Sequence, residues 1–188
     1  MKKILSFLLF IILGTQLSAQ FILTPDGFST HDNKDYIVYN FENKTQTELY
    51  NAALMSIGRT FVSPKDVISK VENKQINLVA YIPKGVSRTN YHKFDLTFNV
   101  VFEFKDNKIK INSPNIISII QPIDIYQQMY IKKEINFRAY FDGNEWTIYN
   151  KKDVVKLDMA KETLEATVNN LIENLINNIK QNSTNDNW

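Results

Sequence analysis

Between Phe94 and Lys105 every even position is apolar (Phe94, Leu96, Phe98, Val100, Phe102, Phe104), while the odd positions are mostly polar. Successive side chains of a strand point to opposite sides, so the alternation predicts a long strand with one face in a core and the other toward water. A turn at Asp106-Asn107 sets Phe104 opposite Ile109 and Phe102 opposite Ile111. A slip of one residue would place lysines there, which fixes the register. The same arithmetic predicts two more hairpins. With Asn73-Lys74 as a two-residue turn, Val71 faces Ile76, Ser69 faces Leu78 and Val67 faces Ala80. With Gly143-Asn144 as the turn of a hairpin from Phe137 to Tyr149, Phe141 faces Trp146 and Ala139 faces Ile148. Tyr36 to Phe41 alternates as well, and reads as a further strand.

Helical spacing takes over in two places. Thr45 and Glu48 are three residues apart, the spacing of a capping box, and Leu49, Ala53, Ile57 and Phe61 then form an apolar stripe. Gly58 is placed to stop this helix in a left-handed cap. A long helix is predicted from Asp158 to Lys180, with Leu157, Ala160, Leu164, Val168, Leu171, Leu175 and Ile179 buried. Asn170, Glu173, Asn174, Asn177 and Asn178 lie on its other side, and 182–188 reads as a flexible polar tail. Gln20 to Lys34 reads as an extended lead-in around the turn former Pro25-Asp26-Gly27. The isoleucine-dense stretch from Asn115 to Glu134 fits strand and helix equally, with a short helix from Pro122 toward Tyr130 as one reading.

The first nineteen residues have the organisation of a secretory signal. Lys2 and Lys3 precede an apolar run from Ile4 to Leu13, and Ser18-Ala19 offers a small-residue cleavage site before Gln20. That run is too short to span a bilayer. The expectation is an exported protein, periplasmic or extracellular, whose residues 20–181 form a single domain. Removing Lys2 and Lys3 brings the 22 basic residues level with the 20 acidic ones. A mature chain of zero formal charge lacks the general cationic drive for binding phosphates, so no nucleic-acid partner is expected. There is no cysteine, which excludes disulfides, thiolate metal sites and lipid attachment to a thiol.

Leu23-Thr24-Pro25-Asp26-Gly27-Phe28, Leu49-Tyr50-Asn51-Ala52-Ala53-Leu54 and Ser63-Pro64-Lys65-Asp66-Val67-Ile68-Ser69 carry a resemblance. They resemble a secreted bacterial domain-of-unknown-function family, DUF4468, described as having a TATA-binding-protein-like (TBP-like) fold. The likeness runs from about Phe21 to Pro114 and extends loosely to the final helix. It implies an α+β fold in β-α-β-β-β-β-α order, an antiparallel sheet with two helices packed on one face, and an extra segment or insertion at 115–155. The family brings no catalytic residues, and a fold name of this kind does not imply DNA binding.

Candidate chemistry is sparse. Gly27, Gly58, Gly85 and Gly143 never fall close together, so no P-loop, dinucleotide loop or nucleophile elbow can be written, and no cofactor is expected. His31 lies near Asp32 and Asp35, but no ligand spacing accompanies it and no metal site is assigned. Asp66 follows Ser63-Pro64, which reads first as a helix-to-strand turn. Two helices on one face of the sheet leave the other open, and Val79, Tyr81 and Val101, with Thr97 and Asn99, are predicted to point that way. These residues, above all Tyr81, Val101, Thr97 and Asn99, are the candidate ligand-binding set. The leading expectation is a non-catalytic binding or interaction domain of the cell envelope, with a protein, peptide, glycan or apolar ligand as partner. One alternative is an envelope hydrolase built from scattered residues such as His31, Asp66 and His92. The other is a structural subunit of an envelope assembly.

Overall fold

Six strands of the computed structural model, which describes residues 20–121, 134–138 and 146–184, form one antiparallel sheet. In chain order the elements are β1 (Phe21–Thr24), β2 (Gly27–Thr30), β3 (Tyr36–Asn40), α1 (Gln46–Thr60), the single turn α2 (Pro64–Val67) and β4 (Ile68–Val71). Then follow β5 (Gln75–Ser87), β6 (Lys93–Lys105), β7 (Lys108–Asn112), β8 (Asn115–Ile120), β9 (Asn136–Arg138), β10 (Thr147–Tyr149) and α3 (Asp158–Thr184). The main sheet runs β3-β7-β6-β5-β4, and β8 continues beside β6 where β7 ends. Ser113-Pro114 separates β7 from β8 because proline has no N–H to give the ladder.

The β6 pattern is realised in full. Phe94, Leu96, Phe98, Val100, Phe102 and Phe104 are all buried, and Phe104 pairs with Ile109 and Phe102 with Ile111 as the alternation requires. Leu49, Ala53 and Ile57 of α1 and Ala160, Leu164, Val168, Leu175 and Ile179 of α3 are buried in the same core. Both helices therefore pack on one face of an antiparallel sheet, an α+β arrangement. They also touch each other, and the Ser56 hydroxyl donates to the Leu175 carbonyl at 3.1 Å. Thr45 and Glu48 form the predicted capping box.

Several expectations change. The lead-in is a hairpin in which Phe21 pairs with Thr30, and Phe21, Leu23 and Phe28 join the core. Gly58 does not end α1; the helix continues to Thr60, and Phe61, in extended backbone, donates its N–H to the Ile57 carbonyl. The β4–β5 register is shifted by one, with Ile68 opposite Leu78 and Val71 opposite Gln75. The cause is a three-residue loop, Glu72-Asn73-Lys74, closed by Lys74 N–H to the Val71 carbonyl at 3.0 Å. Lys74 instead gives its carbonyl to Phe104 N–H at 2.9 Å, and Val67 is taken up in α2.

The extra segment from Asn115 begins inside the main sheet, where β8 pairs with β6. The simple strand-helix-strand order is also lengthened by the β1–β2 hairpin and by β8 to β10. β9 and β10 pair in parallel, Asn136 with Thr147 and Tyr149 with Arg138. This parallel pairing differs from the antiparallel hairpin expected over Phe137 to Tyr149, whose Gly143-Asn144 turn lies outside the described residues. The hairpin's Ala139 and Phe141, the helix suggested after Pro122 and residues 1–19 also lie outside the described residues. The tail is shortened, since α3 reaches Thr184 and Arg59 of α1 donates to Asn182 Oδ1 at 2.5 Å.

Candidate functional site

The face of the sheet away from the helices is built from the odd positions of β5 and β6. Across the two strands Tyr81 stands opposite Thr97, Val79 opposite Asn99 and Asn77 opposite Val101. The four candidate residues thus share one surface, and Tyr81 is 54% exposed while Thr97, Asn99 and Val101 are half-buried. The alternation that buries Phe98 exposes its neighbours, which is why this face was legible in advance.

Cross-strand hydrogen bonds organise its polar groups. Asn99 Nδ2 donates to Asn77 Oδ1 at 3.2 Å, and Asn77 Nδ2 donates to Ser69 Oγ at 3.4 Å, a chain across β6, β5 and β4. The Tyr81 hydroxyl donates to Asp95 Oδ2 at 2.6 Å, which raises its pKa above the ordinary tyrosine value. Asp95 also receives Lys84 N–H at 2.8 Å, in a bulge where Lys84 has a φ of 56°. Toward the other end Asn112 Nδ2 and Lys110 Nζ both reach Glu103 Oε1, at 2.8 and 3.3 Å, and lower its pKa. Sequence reasoning missed Asp95 as the partner of Tyr81, because their contact depends on the β5–β6 register.

The scattered alternative finds no common place. His31 lies in the turn after β2, His92 in the β5–β6 connection and Asp66 in α2, and all three are exposed. His92 Nδ1 is 2.9 Å from Thr89 Oγ1 within its own turn. Among the described residues no group of three or more His, Asp or Glu side chains is arranged to hold a metal ion.

Four turns share a sequence that the residue-by-residue reading did not single out. Asp32-Asn33-Lys34, Glu42-Asn43-Lys44, Glu72-Asn73-Lys74 and Asp106-Asn107-Lys108 each place the asparagine at a φ between 56° and 64°. Asparagine tolerates this left-handed region better than other side chains except glycine. Two of them interlock: Asn107 N–H donates to the Lys44 carbonyl at 2.8 Å and Lys44 N–H to Asn107 Oδ1 at 3.0 Å. Beside them is a shallow depression of about 310 Å³ lined by Asn40, Phe41, Glu42, Asn43, Asn107 and Lys108.

A second polar arrangement ties β1 to α3. Phe21 N–H donates to Asn169 Oδ1 at 3.0 Å, and Asn169 Nδ2 returns a bond to the Phe21 carbonyl at 2.8 Å. Leu23 N–H donates to Glu165 Oε1 at 2.6 Å, and the Tyr149 hydroxyl donates to the Leu23 carbonyl. Burial, with Glu165 adding, pushes the Tyr149 phenol up to about 12. Glu173, expected on the outward side of the helix, instead accepts from Gln20 Nε2 at 3.2 Å. The signal in the sequence was the four-residue spacing of Lys161, Glu165, Asn169 and Glu173 beside the apolar stripe.

No family model matches the chain, and no curated protein matches its sequence. Among solved structures it is similar to a TBP-like protein from Parabacteroides distasonis, with 14% identity and a TM-score of 0.49 over 80% of this chain and 91% of the other.

Proposed function

We propose that this chain is an exported protein of the bacterial cell envelope, of the DUF4468 type, acting as a non-catalytic interaction domain through the open face of its sheet. The observation that carries the reading is the one-sided sheet: α1 and α3 lie on the Phe98 side, while Tyr81, Val79 and Val101 remain accessible among amide and hydroxyl groups on the other. Those polar groups are already bonded across strands, so little ordering is needed on binding. Export rests on the organisation of residues 1–19. Among the described residues no helix is long and apolar enough to cross a membrane.

The centre of the face, Asn77, Val79, Thr97, Asn99 and Val101, carries no formal charge. A partner held there depends on apolar contacts and hydrogen bonds, and its affinity varies little with salt. Nucleic acid does not suit such a surface. A photo-reactive residue at position 81 or 101, with position 166 on the exposed side of α3 as control, tests this in intact cells. The reading predicts a discrete adduct from 81 and 101 that is retained in high salt. Equal labelling from 166, or none from the sheet, counts against it.

A further inference from the structure

The β3 side of the main sheet is an edge that nothing in its own sequence blunts. Ser113 N–H donates to the Asp35 carbonyl at 2.7 Å, and Phe41 N–H donates to the Asn107 carbonyl at 2.8 Å. Backbone groups of an antiparallel strand alternate sides, so Ile37 and Tyr39 between these two also face β7, while Tyr36, Val38 and Asn40 turn their N–H and C=O groups outward. Among the described residues no backbone hydrogen bond outside the β7 ladder reaches those three.

The other borders of the sheet are protected. β4 is four residues long, carries Lys70 and is preceded by Pro64 in α2. Where β5 runs on past β4 it meets Pro83 and the bulge at Lys84. β8 is met by Ile135, whose N–H donates to the Ile119 carbonyl at 2.9 Å. Lysine, proline, bulges and covering segments are the devices that keep a further strand from adding to a sheet. Tyr36-Ile37-Val38-Tyr39-Asn40 has no charge, no proline and no register shift, and Val38 is 41% exposed.

We propose that β3 is the edge at which a second copy of this chain pairs, its own β3 running antiparallel about a two-fold axis at Val38. In that register Val38 faces its counterpart, Tyr36 faces Asn40 and Ile37 faces Tyr39. It is the only antiparallel register in which all three outward residues of both copies exchange N–H···O=C bonds.

The flanking turns favour a second copy over an unrelated strand. Asp32-Asn33-Lys34 precedes β3 and Glu42-Asn43-Lys44 follows it, each with its asparagine at positive φ. The two-fold brings the turn before one β3 beside the turn after the other. Continuing the register count, position 32 falls toward 44 and position 34 toward 42, so acid meets lysine each time and the axis repeats both matches. Within one copy Lys34 is bonded to Asp32, and Lys44 lies 3.9 Å from Glu48, surface pairs that the second copy extends. The inference depends neither on export nor on what the open face binds.

The chain contains no cysteine, so single cysteines report the register directly. Opposite residues of a hydrogen-bonded pair have Cα atoms about 5.5 Å apart, within disulfide reach, whereas residues four apart along a strand are separated by about 13 Å. Every described element lies within 20–184, so chain 20–188 serves for the test. Under mild oxidation Val38→Cys should give at least about tenfold more disulfide-linked dimer than Tyr36→Cys or Asn40→Cys alone, and an equimolar mixture of those two should link to each other. Sedimentation velocity of the cysteine-free chain should show a monomer–dimer equilibrium with a dissociation constant below about 1 mM. Val38→Lys, which sets like charges opposite each other across the axis, should abolish the dimer while circular dichroism shows the fold retained. A chain still monomeric at about 1 mM, a dimer that Val38→Lys does not weaken, or equal cross-linking from the three single cysteines overturns the proposal.

Discussion

Phe21 and Asn169 lie 148 positions apart in the chain, yet they exchange two hydrogen bonds, so one helix side chain pairs with a strand edge as a neighbouring strand would. Asn169 is buried, and its amide supplies both the donor and the acceptor that the Phe21 backbone requires. Its remaining amide hydrogen is directed to the Glu165 carbonyl at 2.9 Å. Replacing Asn169 by Ala leaves buried backbone groups without partners and should cost about 2 kcal/mol or more. Asn170→Ala, exposed at the next position of the helix, should stay within about 0.5 kcal/mol. Urea titrations of the two variants provide the comparison.

The two sides of β6 should respond very differently to truncation. Phe98 is fully buried, and Phe98→Ala is expected to cost about 3 to 5 kcal/mol through lost burial and a residual cavity. Thr97→Ala on the open face should cost far less. Similar losses in a denaturant titration would mean that both faces of the sheet are buried.

Asp32 offers a pH test outside the core. Its carboxylate lies 2.5 Å from Lys34 Nζ and accepts from the Thr30 hydroxyl at 2.5 Å, and these bonds hold its pKa at about 2. A depressed carboxylate stabilises the fold above its unfolded value, near 3.9, and that contribution fades as pH falls through about 2. Carboxyl NMR should find a midpoint near pH 2, moving toward the ordinary aspartate range in Lys34→Ala. The group is well solvated, so the midpoint is the useful observable.

The left-handed asparagines should separate by what else they do. Asn73→Gly keeps the loop conformation and should be nearly neutral. Asn107→Gly keeps it too, but removes the acceptor of Lys44 N–H and should cost about 1 kcal/mol. Thermal melts of both variants at one pH would show the difference, and equal melting temperatures would mean that the Asn107 side chain contributes nothing.

Local pattern determined much of the molecule. The period of two from Phe94 to Phe104 gave β6, its buried face, its pairing with β7 and the identity of the open surface, because a one-residue slip would bury lysines. Thr45 and Glu48 announced α1, and the stripe from Ala160 to Ile179 announced α3, because capping and amphipathicity act within a few residues. Tertiary structure decided what depends on distant partners. Ile68 rather than Ser69 faces Leu78 because Lys74 is held by Phe104, and β9 meets β10 in parallel despite a turn-forming Gly143-Asn144. Asp95 reaches Tyr81 only through the β5–β6 register, which joins two strands across the sheet. Asn169 is the clearest case: the sequence shows a polar residue near an apolar stripe, and only the packing of α3 against β1 supplies the unpaired backbone groups that explain its burial.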